Sequence, residues 1–349
     1  MSAAAAAPPV AGEMIVLVAS ETRRPVGLGP GEEGRGGRRR GSPNYSDMMP
    51  KPASSASRTL AVGGRTVTVE TRAYPSGTHV SLVRERVPDI FSLALRARRD
   101  ELALVALDAA KAEGCALEDP EEYAMFLVSG FSGDPGRLID EHRQAIVQLL
   151  KSEDQPLHED EVAATIGRGL KYGRNDRVIV DWDGAFLFDA AGDFAGDIEV
   201  LEMANRTLLR YRLLDRKLNG FLEEAVLAVK EPPRSFFGKL SEVRKRMRIV
   251  AEIRLEAIRE LSRIDADIKL YGNWYLARLY DLASKIFHVD DWRRIVTSSV
   301  EQLEDLYQMV AENFSIWRTE RLELFQLIGW TVLLVGYFFL FFFEVGRAS

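Results

Sequence analysis

The chain has 349 residues, a formal net charge of −6, 46% hydrophobic and 28% charged residues, an ordinary globular mixture with room for two or three domains. The acidic balance argues against nucleic acid as the partner. A single cysteine, Cys115, excludes an internal disulfide and a multi-cysteine metal centre, and His79, His142, His158 and His288 are too scattered for metal-ligand spacing.

Residues 1–57 are rich in Ala, Gly, Pro, Ser and Arg and carry no hydrophobic period, which predicts a disordered tail. Within it, MIVLVAS at 14–20 lacks a basic n-region and is too short to span a bilayer, so it is not a secretory signal. The run Arg35, Arg38, Arg39, Arg40 reads as solvated tail, and Glu13, Glu21, Glu32 and Glu33 argue against a targeting peptide. Met48 or Met49 is an alternative start. GLGPGEEGRGG, from Gly27, lacks the preceding strand, the following helix and the G-K-[ST] ending of a phosphate loop.

Residues 58–195 predict a compact α+β domain. TLAVGGRTVTVE alternates around Gly63–Gly64 as a hairpin does. Helical spacing covers 89–114, ending at Gly114, and again 137–154. RVIVDWDGAFLFDAAGD then offers strands at 177–182 and 185–189 joined by Asp183–Gly184.

From 196 to 321 the pattern is that of long helices. One segment, 197–231, stops at Pro232–Pro233. A second, 235–286, places Ala257, Leu261, Ile264, Ile268, Tyr271, Tyr275 and Leu282 on a 4-3 spacing. HVDDW breaks it, with Asp290 the expected N-cap of a third. There Val296, Val300, Leu303, Tyr307, Val310, Phe314 and Trp317 keep a 3.5-residue period, whose continuation through Arg321 to Leu324 predicts one helix of roughly 50 residues. Asp215, Arg278 and Arg321 fall on these seams, where a charge fixes register or partner if buried and snorkels if not.

Residues 322–344 are nearly all apolar. Leu324–Phe343 holds no charge, and as a helix it reaches roughly 30 Å, which predicts a transmembrane span. Arg318, Arg321 and Glu323 on one side and Arg347 on the other would mark its boundaries, with Trp330 as an interfacial aromatic. The expected fold is therefore α+β: a mixed α/β domain, long antiparallel helices in a coiled-coil-like bundle, and a single C-terminal transmembrane helix. This is the plan of a tail-anchored, single-pass membrane protein with its body in the cytoplasm.

Motifs for chemistry are sparse. Asp181, Asp183, Asp189, Asp193 and Asp197 form the one dense carboxylate group near turns, but without an EF-hand pattern, and turn and cap chemistry accounts for Asp183, Asp193 and Asp197. No G-x-S-x-G elbow is present, and Cys115 has no histidine nearby in sequence.

LYGNWYLARLYDLASKIFHVDDWRRI, EQLEDLY and ERLELFQLIGW give residues 177–345 a degenerate similarity to a known group: the C-terminal half resembles the required-for-meiotic-nuclear-division family. The resemblance implies an α/β part, long helices and one C-terminal span beside an R-L-E triplet, here Arg321-Leu322-Glu323. It further implies scaffolding or tethering at a membrane, mitochondrial in eukaryotes, and no catalytic residues. The Phe-dominated span departs from that family's Trp- and Ile-rich one. CorA-type magnesium channels also feed long helices into a bilayer, but they have two spans and a G-M-N loop, and Gly272–Asn273 comes about fifty residues too early. The expectation is a non-enzymatic scaffold or tether without cofactor, whose partners are the lipid bilayer, further copies of itself through the long helices, and an unidentified cytosolic protein. An ion-conducting or metal-sensing oligomer is the alternative.

Overall fold

The computed structural model describes residues 9–22, 51–230, 239–268 and 274–347. Within them the order is β1 (Gly12–Thr22), β2 (Ser54–Val62), β3 (Arg65–Ala73), β4 (Thr78–Val87), α1 (Leu95–Ala112), β5 (Cys115–Val128), α2 (Gly136–Lys151), α3 (Glu159–Gly167), β6 (Asp176–Val180), β7 (Gly184–Asp189), α4 (Ala195–Lys230), α5 (Lys239–Ile268), α6 (Trp274–Ile286) and α7 (Val289–Arg347). The chain forms two compact units. One runs up to Leu214 and resumes over Leu261–Arg294, and the other comprises Asp215–Glu260 and Ile295–Ser349.

The first unit is built on one seven-stranded sheet of order β2-β3-β4-β1-β5-β7-β6. All neighbours are antiparallel except the parallel pair β5–β7. Its central strand is β1, buried without interruption from Met14 to Ser20. A strand covered on both faces needs no apolar–polar alternation, so it reads in sequence as a short continuous apolar run. This corrects the expected tail over 1–57, because residues 12–22 form the middle of the sheet and residues 54–57 begin β2. The Gly27 loop, the arginine run Arg35–Arg40 and Met48–Met49 lie outside the described residues.

The β2–β3 hairpin closes from Val62 to Arg65 through Gly63 and Gly64, whose φ values of +59° and +77° suit a two-residue hairpin turn. The second expected hairpin, β6–β7, is also present, and the Asp181 amide donates to the Gly184 carbonyl at 2.9 Å. Here glycine is required by close approach, since a Cβ on Gly184 would sit 2.7 Å from the Ala124 carbonyl oxygen across the β5–β7 pair.

Helices cover both faces of the sheet. Against one face, α1 and α2 close a core that includes Val16, Val83, Leu102, Phe126, Leu149 and Phe186, all at most 1% exposed. A buried pair crosses this layer: Glu85, on β4, accepts from Arg98 Nε at 2.7 Å and from Arg65 at 3.2 Å, while Arg98 also reaches the Val62 carbonyl. The opposite face meets the start of α4 and the end of α6, joined to it by Tyr74–Glu202, Arg212–Glu121 and the edge-on Tyr123–Phe287 ring pair at 5.4 Å.

In the second unit α5 and α7 pair, with Arg254 donating to Glu304 at 2.6 Å. The first seam positions of α7, Val296, Val300 and Leu303, are buried, as is Ala257 on α5. The side chains of Tyr307, Val310, Phe314 and Trp317 lie outside the described residues. The expected second helical segment is two helices, α5 and α6, and Tyr271 and the Gly272–Asn273 pair fall in the undescribed residues between them. The break at HVDDW stands, with His288 at φ +51° between α6 and α7. Asp290 lies in the first turn of α7 beside Asp291, two steps inside the cap position, which His288 occupies.

The long terminal helix is present, and α7 has 59 residues. The transmembrane assignment of 322–344 is overturned, because among the described residues no helix is long and apolar enough to cross a membrane. The tail-anchored, single-pass placement with a cytoplasmic body loses its basis with it.

Candidate functional site

The most polar interior of the protein lies where α4 meets the sheet. A helix packed on a sheet is expected to present an apolar stripe. Yet Glu202, Asn205, Arg206, Thr207 and Arg210 are 1–6% exposed on α4, interleaved with buried Leu201, Met203, Ala204, Leu208 and Leu209. Facing them, β3 projects Glu70 and Arg72 on the side opposite Val67 and Val69, as the two-residue strand period requires.

Glu202 is the centre of this interface. One carboxylate oxygen accepts from the Tyr74 hydroxyl and the other from Arg72 at 2.5 Å. Arg72 also donates to Glu70 at 2.7 Å, and Arg84 stands 4.0 Å from Glu70. The Arg206 guanidinium lies over the Tyr74 ring, its Cζ 3.5 Å from the ring centroid. Burial and the Glu202 carboxylate push the Tyr74 hydroxyl well above its ordinary range, so it stays a neutral donor at physiological pH. Both Glu202 oxygens thus have structural partners.

A second cluster sits at the other edge of the sheet. Asp197 opens α4 and is 9% exposed. Desolvation pushes its carboxyl from 3.8 up to about 7; Asp176, Asp189 and Asp193 add repulsion, against a hydrogen bond with Tyr275 that pulls the other way. The companion carboxylates are mostly consumed by their own turns. Asp176 accepts from the amides of Tyr172 and Gly173, and Asp189 from those of Ala191 and Asp193. Asp181 caps the Trp182 amide and lies 2.9 Å from Lys151 Nζ. The five aspartates singled out in sequence therefore do not converge as ligands, and among the described residues no cluster of His, Cys, Asp or Glu is placed to hold a metal ion.

The seam charges also separate. Arg278 is exposed and stacks over Trp274 at 4.8 Å, so it snorkels instead of pairing within a seam. Asp215 accepts from Asn219 on its own helix at 3.1 Å. Glu323 is exposed and Trp330 is 67% exposed. The side chains of Arg318, Arg321 and Arg347 lie outside the described residues.

Around Trp330 the surface is apolar. Phe325, Leu327, Ile328, Trp330, Val332, Leu333, Leu334, Val335, Tyr337 and Phe338 are all 50–71% exposed, on every side of α7. The polar interior of α4 was missed in sequence because its charges sit at the same spacing as an ordinary solvated face. A signal was nevertheless available, in the pairs Glu202–Arg206 and Arg206–Arg210, which lie one turn apart among apolar residues on both sides.

A family profile described as "Uncharacterized protein MJ0711, N-terminal domain" matches residues 30–195. The protein "Uncharacterized protein MJ0711" of Methanocaldococcus jannaschii is 27% identical over 195 residues, 56% of this chain and 59% of the relative, so the chain spans well under two thirds of the length of this curated relative. No solved structure matches. The profile match covers the sheet from β2 to β7 and stops where α4 begins; it overlaps the resemblance noted for the C-terminal half only over residues 177–195.

Proposed function

We propose that this protein is a non-enzymatic scaffold that self-associates through the distal part of α7. The observation that carries the reading is the sleeve of ten large apolar side chains between Phe325 and Phe338, each at least half exposed. A contiguous apolar surface of this kind marks an interaction site, and a helix apolar on all sides is stable only when surrounded. A two-helix seam covers one stripe of each helix, so more than two copies are expected to converge. A second copy of the chain is the occupant favoured here, because the 4-3 repeat that begins at Val296 leads along the same helix toward the sleeve.

The absence of enzymatic chemistry is part of the proposal. Its support is that Glu202, Asp176, Asp181 and Asp189 all have structural partners.

Sedimentation velocity and light scattering on the full chain, compared with a chain ending at Thr319, test the reading. Concentration-dependent assembly above the dimer, lost on truncation, is the expected result. A strictly monomeric full chain, or one whose sleeve is occupied by liposomes in place of further copies, overturns it.

A further inference from the structure

Among the described residues the buried charge of Arg206 has no ion-pair partner. Its residue is 6% exposed, and its Nε makes no hydrogen bond among them. The acid one turn before it, Glu202, has given one oxygen to Tyr74 and the other to Arg72. Arg72 in turn is held between Glu202 and Glu70. What Arg206 has in this setting is the Tyr74 ring beneath it. Cation–π contact orients a guanidinium but leaves its in-plane donors unused. A buried ion without a hydrogen-bonding partner is costly, and structures normally supply one.

The planar fork of an arginine matches the two oxygens of a carboxylate or phosphate. With the ring beneath it and Glu202 withdrawn into its own bonds, the unpartnered Nε edge of Arg206 matches such a group. We propose that Arg206, seated on Tyr74, is the anchor of a binding site for a small oxyanion, a phosphate or carboxylate group. Arg210, one turn further along the buried face of α4, adds positive potential to the same interface. The 6% exposure of Arg206 limits the ligand to one that offers a compact anionic end.

The test is thermal unfolding of the full chain in inorganic phosphate, and separately in acetate, against sodium chloride at matched ionic strength. Saturating stabilisation is expected with at least one oxyanion, raising Tm by about 5–10 °C at a hundredfold excess over Kd. Phosphate alone, acetate alone or both would identify which source of the shared chemistry the site takes. Arg206→Met is expected to abolish the rise and Arg206→Lys to retain part of it. Should Arg206→Met fail to fold, saturable broadening of the phosphorus resonance by the unaltered chain supplies the phosphate arm. Equal rises in chloride and in both oxyanions, or an unchanged response in Arg206→Met, would overturn the proposal.

Discussion

Asp197→Asn should make the protein more stable at neutral pH and leave it unchanged in acid. The folded-state carboxyl titrates at about 7, whereas the exposed group titrates at 3.8, with desolvation the leading cause. At about 1.36 kcal/mol per pH unit, this difference amounts to about 4 kcal/mol. The position opens α4, where the helix dipole favours a negative charge by only about 0.3–1 kcal/mol, so burial wins. The sign follows from linkage. A raised folded-state value means that protonated Asp197 fits the fold without penalty below pH 3.8, and that stability is lost as pH climbs from 3.8 through 7. Asparagine keeps the shape and can accept from the Tyr275 hydroxyl, but carries no charge. Urea unfolding of both proteins at pH 4, 5.5 and 7.5 measures the effect. The two should coincide at pH 4 and diverge in favour of asparagine toward pH 7.5, by an amount approaching that ceiling. An advantage independent of pH, or a less stable variant at pH 7.5, would refute the desolvation argument.

Three further outcomes are expected from the sheet. Arg98→Met leaves Glu85, which is 2% exposed, with only the half-exposed Arg65 at 3.2 Å and should cost roughly 3–5 kcal/mol in urea unfolding; a loss below about 1 kcal/mol would mean that Arg65 or water replaces the guanidinium. Gly184→Ala brings a methyl group 2.7 Å from the Ala124 carbonyl oxygen and should cost roughly 1–3 kcal/mol, whereas a neutral result would show that the β5–β7 pair yields. His79, with neither ring nitrogen hydrogen-bonded to protein, is held below its ordinary 6.5 by desolvation, against a smaller upward pull from Glu113. Its contribution is therefore present above pH 6.5 and lost as pH falls through that value toward the folded-state one, so in urea unfolding His79→Leu should gain on the unaltered chain as pH falls from 7.5 to 5, the opposing slope of Asp197 and the parallel one of His142 being common to both; a difference independent of pH would refute this.

How much of this was legible depended on which force placed each element. The Gly63–Gly64 hairpin, the close of α1 at Gly114 and the break at HVDDW rest on local backbone chemistry, which sequence carries directly, whereas α1 starts at Leu95, six residues after its expected start at 89, with no side-chain cap. The strand at Gly12–Thr22 rests on burial from both sides, which erases the alternation that identifies a strand and leaves MIVLVAS looking like a fragment. Strand β5 was hidden for another reason. Its first half, with Asp119 at φ +58° before Pro120, reads as a turn, and β1 shifts register against it near Ala19–Glu21. The residues at the proposed sites were least legible of all, because Glu202 and Arg206 have the spacing of a surface ion pair and only the sheet beneath them makes them interior.

That last distinction bears on function. Buried charge in a structural protein is expected to be matched group by group, because each unmatched ion opposes folding. Around Tyr74 the matching is nearly complete: Glu70 takes Arg72, and Glu202 takes Arg72 and the tyrosine hydroxyl. Had the interface served packing alone, an apolar residue at 206 would give the same shape at lower cost. Retaining a guanidinium there, over an aromatic ring, makes sense if an oxyanion completes the network, and the interface then couples occupancy to how firmly α4 is held on the sheet. Hydrogen exchange follows this directly. Amides of α4 near Leu201–Leu209 should slow in saturating oxyanion, while those of β1, already buried on both faces, should not change; equal slowing throughout would point to general salt stabilisation instead.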